Sequence, residues 1–148
     1  MPKSSGIRGI NRIFDANINR IKEGLRVCEE ITRFLICSIS LTAGYKRIRH
    51  KINTLTGELA SSKELFKERQ SLTDTGRNIK LSSELKRKNP ADIFLANMQR
   101  VKESVRVLEE FSKLKDTRVS LGFKRIRYQI YELEKKTSKR LAGLSGNR

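Results

Sequence analysis

Arg20, Glu23, Arg26 and Glu30 stand three and four residues apart, and the same types return as Arg100, Glu103, Arg106 and Glu110. On a helix this spacing brings the side chains together, where Arg and Glu pair with each other or present a shared charged face. A solvated pair of this kind is worth roughly 0.3–0.5 kcal/mol. That is the ordinary expectation for Arg26 and Glu30. Arg20 differs because it borders an apolar stripe and can reach inward, with Glu23 placed to orient it. A guanidinium is planar, permanently charged and matched to phosphate oxygens. The chemistry to look for is therefore the binding of a phosphate-bearing ligand.

Three further groups bear on that chemistry. Asn17 falls in the middle of the apolar stripe on a helical wheel, and Asn97 holds the same place in the second copy. A buried amide is costly unless it is hydrogen-bonded. Two readings stand: the amides bond across the bundle and fix its register, or they floor a polar pocket. His50, the single histidine, follows Arg49, and their counterparts are Tyr128 and Arg127. An imidazole titrates near neutrality, so acid–base work is open to it. A lone histidine gives no support for structural zinc. Finally, Arg69, Asp74, Gly76 and Arg77 crowd into a polar stretch. Gly76 permits a left-handed turn whose amides would cradle an anion. Asp74 can hold Mg²⁺ through water or orient an arginine.

The elements that must position these residues are legible as a duplication. Residues 14–31 and 94–111 agree at ten of eighteen positions at an offset of eighty. GYKRIRHKI at 44–52 then matches GFKRIRYQI at 122–130 at an offset of seventy-eight. A repeated two-helix unit follows. The first hairpin spans 10–57, with helices over about 10–37 and 41–57 and a break at Ser38 and Ser40. Ile18, Ile21, Leu25, Cys28, Thr32 and Leu35 form one apolar stripe. The segment 58–89 connects the hairpins and carries the candidate site loop; SSKELFKERQ reads as a short helix capped by Ser61 or Ser62. The second hairpin spans 90–141. It opens on Asn89 as N-cap, with Pro90 at the first helical position and Asp92 in the first turn. Its first helix runs to about 114, and Asp116 caps the next, over about 117–141. The expected fold is all-α: a four-helix bundle built from a duplicated hairpin with a long connection, in one domain.

Composition narrows the class. Thirty-three Lys and Arg face sixteen acids across 148 residues, a formal charge of +17, which draws in polyanions of any kind. The basic residues are spread along the whole chain, and MPKSS and GLSGNR read as frayed ends. Cys28 and Cys37 lack a metal-like partner set and read as buried thiols of a reducing compartment. FLICSISL at 34–41 is too short to cross a bilayer. A cytoplasmic protein with no membrane association is expected.

DANINRIKEGLRVCEE closely resembles the DANLxRxxEGLRVxE signature of a helical domain fused, in some bacteria, ahead of the barrel of thiamine-phosphate synthase. RIRH at 47–50, the Asp74–Gly76 loop, ANMQRVKESVRVLEE at 96–110 and FKRIRYQIYELE at 123–134 follow in the family's order, so the resemblance covers roughly 10–136. It implies an alternative hydroxymethylpyrimidine-phosphate kinase, using ATP and Mg²⁺ to convert the pyrimidine monophosphate to the diphosphate. Asp15, Asn17, Arg20, Glu23, Gly24, Arg26 and Glu30 match the first block, Arg49 and His50 the second, and Arg69, Asp74 and Gly76 the loop. On that resemblance, Arg20, Arg49 and Arg69 clamp phosphates and Asp74 with Glu23 or Glu30 holds Mg²⁺. Asn17 recognises the pyrimidine, His50 orients phosphate or moves a proton, and Asn97 and Arg100 add a wall from the second repeat. Gln70, Ser71 and Arg77 depart from the family's loop, and no following barrel is expected.

A phosphoryl transfer needs positioning and charge neutralisation more than an activated nucleophile, which suits this residue set. The chain has no GxxxxGK[ST] loop. Two other classes therefore stay open: a basic helical nucleic-acid-binding module, and a non-catalytic partner of thiamine-phosphate synthase. The ligands expected are a pyrimidine phosphate and a nucleotide. The synthase and a second copy of the chain are the open protein partners. The sequence weights the first repeat as the functional copy, because the RH pair and the Asp-Gly loop belong to it alone.

Overall fold

The computed structural model describes residues 2–79 and 86–145. Among the described residues five helices pack together: α1 (Pro2–Glu30), α2 (Ile39–Leu59), the short α3 (Ser62–Lys67), α4 (Pro90–Ser112) and α5 (Thr117–Ser145). No strand occurs among the described residues. α1 packs on α4 and α2, and α5 packs on α4 and α2, so the four long helices form a closed ring. The α1/α4 and α2/α5 seams lie on opposite sides of it. Part of the connecting segment, residues 80–85, and the last three of GLSGNR lie outside the described residues.

The core follows the expected stripes. Phe14, Ile21, Leu25 and Cys28 of α1 meet Phe94, Met98, Val101, Val105 and Leu108 of α4, all fully buried. Tyr45 and Ile52 of α2 and Phe123 and Ile130 of α5 complete it. Each such side chain contributes roughly 1.5–3 kcal/mol by leaving water. Close approach sets the crossings. A Cβ on Gly44 would stand 2.8 Å from Leu133 Cδ2, and one on Gly122 would stand 2.7 Å from Leu55 Cδ2. Gly44 corresponds to Gly122 and Leu55 to Leu133, so these contacts are reciprocal between the repeats.

The helix starts behave as their chemistry dictates. Asn89 accepts from Asp92 N at 2.9 Å, and Ser61 caps α3 through Glu64 N at 3.1 Å. Ser38 caps α2 through Leu41 N at 3.2 Å, and its counterpart Asp116 accepts from Arg118 N at 2.9 Å.

Four expectations need correction. α1 begins at Pro2 rather than near residue 10, so MPKSS is not an unstructured tail along its whole length. α5 likewise runs on to Ser145. The first hairpin's connection is a π turn, Ile31–Leu35, in which Ile36 N bonds Ile31 O at 3.0 Å. That wider turn shifts the helical phase, so Leu35 is half exposed instead of joining the stripe. Cys37 is exposed, not buried, and is the single non-glycine residue with positive φ among those described, at 57°.

Candidate functional site

A cleft of about 790 Å³ opens over the α1/α4 seam, beneath the segment 71–79. α1 supplies Asn17, Arg20 and Glu23, the loop supplies Asp74, Gly76 and Arg77, and α4 supplies Arg100 and Glu103. Both copies of the repeated Arg–Glu set thus face one cavity. The helices come together here because residue 24 is glycine: a Cβ would lie 2.6 Å from Val101 Cγ2 and 3.2 Å from Asn97 O. Three guanidiniums and three carboxylates balance across the cleft. Among the described residues, Arg20, Arg77 and Arg100 have no ion-pair partner, which leaves their forks available to an anion.

The loop is strapped to this position. Arg69 grips Asp15 with both prongs, Nε to Oδ2 and Nη2 to Oδ1, each at 2.7 Å. The hydrogen bonds to Asp15 raise the Arg69 pKa further, so the strap stays charged. The Arg69 guanidinium also lies 5.2 Å from the Phe66 ring centroid, while Leu65 is buried beneath α3. Arg69 is therefore a positioning residue, with its fork already occupied. Asp15 and Arg69 line an adjoining cavity of about 690 Å³ that shares Asn17, Arg20, Glu23 and Asp74 with the first.

The turn itself differs from expectation. Gly76 has no positive φ. Its amide donates to Asp74 Oδ1 at 2.8 Å, and Arg77 N donates to Asp74 O at 3.2 Å. Those amides are satisfied inside the turn and form no anion cradle. Asp74 Oδ2 has no hydrogen bond among the described residues. Mg²⁺ bound with substrate phosphates needs only one or two carboxylates. Asp74 with Glu23 or Glu103 fits that requirement, although no three His, Cys, Asp or Glu among the described residues form a metal-holding group.

The asparagines do not bond across the bundle. Asn17 Nδ2 donates to Ile13 O and Asn97 Nδ2 to Ile93 O, each at 2.8 Å within its own helix. Asn17 Oδ1 accepts from Arg20 at 3.4 Å and faces the cleft, whereas Asn97 does not line it. Glu30 and Arg26 also stand outside the cleft, and Arg26 is 4.0 Å from Glu29. Arg49 donates to the buried Glu29 at 3.1 Å, and its counterpart Arg127 donates to the buried Glu109 at 2.8 Å. These are scaffold pairs. His50 is exposed and lines a groove of about 350 Å³ on the opposite, α2/α5 seam. The RH pair therefore does not converge with the loop. Cys28 is equally remote from reactivity: burial, with the Glu134 carboxylate adding to it, pushes its thiol up to about 12.

Glu103, Arg77 and Ser104 line the cleft without having been assigned to it from the sequence. The offset of eighty from Glu23 pointed to Glu103. Arg77 stands where the resembling family has threonine, and nothing in the sequence showed which way it turns.

Fold and cleft define an all-helical domain with a charge-balanced cavity of about 790 Å³. The chain belongs to the ThiD2 family, which matches residues 12–136. It is 39% identical over 133 residues to a thiamine-phosphate synthase of Thermosynechococcus vestitus, covering 90% of this chain and 36% of that protein. A thiamine-phosphate synthase of Nostoc punctiforme is 38% identical, over 84% and 34%. One of Rhodopirellula baltica is 33% identical, over 93% and 36%. The chain thus spans about a third of the length of these curated relatives, which carry the name of a thiamine-biosynthesis enzyme. No solved structure matches it. No helix among the described residues is long and apolar enough to cross a membrane.

Proposed function

We propose that the α1/α4 cleft transfers the γ-phosphoryl of ATP to hydroxymethylpyrimidine monophosphate, supplying the diphosphate used in thiamine biosynthesis. The observation that carries this reading is the arrival of Arg20, Arg100 and Arg77 in one cavity with Glu23, Glu103 and Asp74. An oxygen of the pyrimidine phosphate attacks the γ-phosphorus. The new O–P bond forms as the bond to the β,γ-bridging oxygen breaks, and ADP leaves with that electron pair. A phosphate nucleophile is already anionic, so no general base is required. Arg20 and Arg100 bind phosphates from opposite helices, and Arg77 neutralises charge from the loop side. Asp74 with Glu23 or Glu103 would hold Mg²⁺, which would supply charge neutralisation to the phosphates. Asn17 offers its amide oxygen to the pyrimidine amino group. Arg49 and His50 take no part in the step.

The test incubates the protein with Mg-ATP and the pyrimidine monophosphate and follows ADP and diphosphate together. Formation of both in equal amounts, lowered about 100-fold by Arg20→Ala, is the expected result. No turnover, with no binding of either ligand by calorimetry, overturns the reading and leaves a non-catalytic partner of a thiamine-phosphate synthase.

A further inference from the structure

The cleft leaves the charge of the chain unexplained. Its three arginines are balanced by three acids, yet the net charge is +17. The surplus concentrates on α2 and α5. α2 carries four Lys or Arg and α5 eight, against one Glu on α2 and two on α5. One of those acids, Glu134, is already paired with Lys102 at 2.9 Å. Arg47, Lys51, Lys124, Arg125, Lys135 and Lys139 are all exposed. At about 1.5 Å per residue, α5 extends this basic face over roughly 43 Å.

The face also offers surfaces for flat rings. Tyr128 is 56% exposed and meets Tyr131 edge-on at 5.9 Å, with the Arg127 guanidinium 5.3 Å from the Tyr128 centroid. Beside it runs the α2/α5 groove of about 350 Å³. Its floor is Leu55, Gly122 and Ile126, and its rim holds Thr54, the cation Arg125, and Lys51, whose Nζ donates to Gln129 Oε1 at 3.0 Å. An apolar slot with hydrogen-bonding groups and a cationic rim suits a base attached to its phosphate. Cations tracking a backbone beside exposed aromatic rings are how unpaired strands are held.

We propose that the α2/α5 face binds single-stranded nucleic acid, with a base in the His50–Gln129 groove, a second on Tyr128, and phosphates on Lys51, Arg125 and their neighbours. The proposal is independent of the phosphoryl-transfer reading, because the two seams are on opposite sides of the ring.

The experiment is fluorescence anisotropy with a labelled twelve-nucleotide uridine RNA on the full chain. Binding falls about 50-fold between 50 and 200 mM salt if about four phosphates are neutralised, since the slope is roughly −0.7 per contact for single strands. The double variant Lys51→Glu/Arg125→Glu weakens binding at least tenfold. Lys63→Glu/Lys67→Glu, an equal charge change on exposed positions of α3, weakens it less than threefold. Tyr128→Ala, which removes no charge, costs about 5-fold or more, the low end for one stacked base. Absence of binding by the unmodified chain at low salt overturns the proposal, as do equal losses in the two double variants. Competition by duplex DNA or poly-glutamate as strong as by unlabelled RNA also overturns it, in favour of unspecific or protein-directed charge.

Discussion

The two repeats share what builds the bundle and differ in what organises the cleft. Glu29 and Glu109 are both buried and paired to Arg49 and Arg127. Thr32 and Ser112 both donate to the carbonyl of that glutamate. By contrast, Asp15, which straps the loop through Arg69, has as its counterpart Leu95, which is 51% exposed. Arg20 and Arg100 fall between these extremes, being matched in sequence and brought together in one cavity. The matching segments therefore share the same scaffold pairs and each adds an arginine to the cleft, while only the first carries a tether to the loop. The structural difference between the repeats lies in Asp15 and the loop it holds, and His50 stands on the other seam.

The largest effect is expected at the shared pairs. Glu109→Ala takes the carboxylate from Arg127, whose side chain is 16% exposed, and should cost about 3 kcal/mol in denaturant titration, the low end for a buried pair, with Glu29→Ala close behind. The double change Glu109→Leu/Arg127→Met should recover most of the loss, because the penalty lies in an uncompensated charge. Burial opposes ionisation of Glu109, but hydrogen bonds and charge from Arg127 and Arg106 outweigh it and hold its pKa below the ordinary value. A depressed carboxylate pKa stabilises the fold above the unfolded value and loses that contribution as pH falls through the folded one. The acid limb of the stability profile should therefore flatten in Glu109→Leu/Arg127→Met. If Glu29→Ala proves harmless while Glu109→Ala unfolds the chain, the two pairs are not equivalent scaffold.

The second comparison is functional. If each repeat supplies one phosphate ligand, Arg20→Ala and Arg100→Ala should each lower kcat/KM for phosphoryl transfer about 100-fold. A 100-fold loss for Arg20→Ala beside less than 3-fold for Arg100→Ala would reduce the second repeat to a wall.

The bundle was legible because its signals are local. Stripes at spacings of three and four, an Asn-Pro start and serine caps act within one helix, and the repeat supplied each reading twice. The lining of the candidate cleft was legible where it followed the same helical phase, as at Arg20, Glu23 and Arg100. It was not legible where the answer depended on pairing between elements. Arg69 and Arg49 read as free cations because their partners, Asp15 and Glu29, are fifty-four and twenty residues away. His50 shares the α2 sequence block with Arg49 but points to the other seam, a choice made by the ring order of helices. Gly76 suggested a left-handed turn, whereas Asp74 closes that turn with its side chain.

The tether gives a smaller effect. Asp15→Asn removes the charge from a pair whose arginine side chain is 40% exposed, so about 1 kcal/mol is the upper end of its worth. Released locally, that amount should raise cleavage by trypsin within 69–77 about 5-fold and leave the global unfolding midpoint nearly unchanged. Leu95→Ala should alter neither. Unchanged loop cleavage in Asp15→Asn would mean that α3 and the turn, not the ion pair, hold the loop over the cleft.

The smallest effect concerns the hairpin connections. α2 begins at Ile39 and α5 at its counterpart Thr117, while α4 ends at Ser112, the counterpart of Thr32. The first copy therefore fits two more residues into its connection, which accounts for the change of offset from eighty to seventy-eight. It does so with the π turn and with Cys37 at φ 57°, a conformation natural to glycine and disfavoured for a residue with a Cβ. Ser38 N then reaches back to Thr32 O at 3.0 Å and closes the helix end. Glycine at position 37 removes the steric cost but makes the unfolded chain more flexible, and the thiol's 3.5 Å contact with Phe34 O is weak. Cys37→Gly should thus raise stability by about 0.5–1 kcal/mol, read as a higher denaturant midpoint at unchanged slope. The tighter second connection has no non-glycine residue at positive φ, so Lys113→Gly should instead be neutral or destabilising. A lower midpoint for Cys37→Gly would show that the side chain, and not the backbone of this turn, is what the extra two residues accommodate.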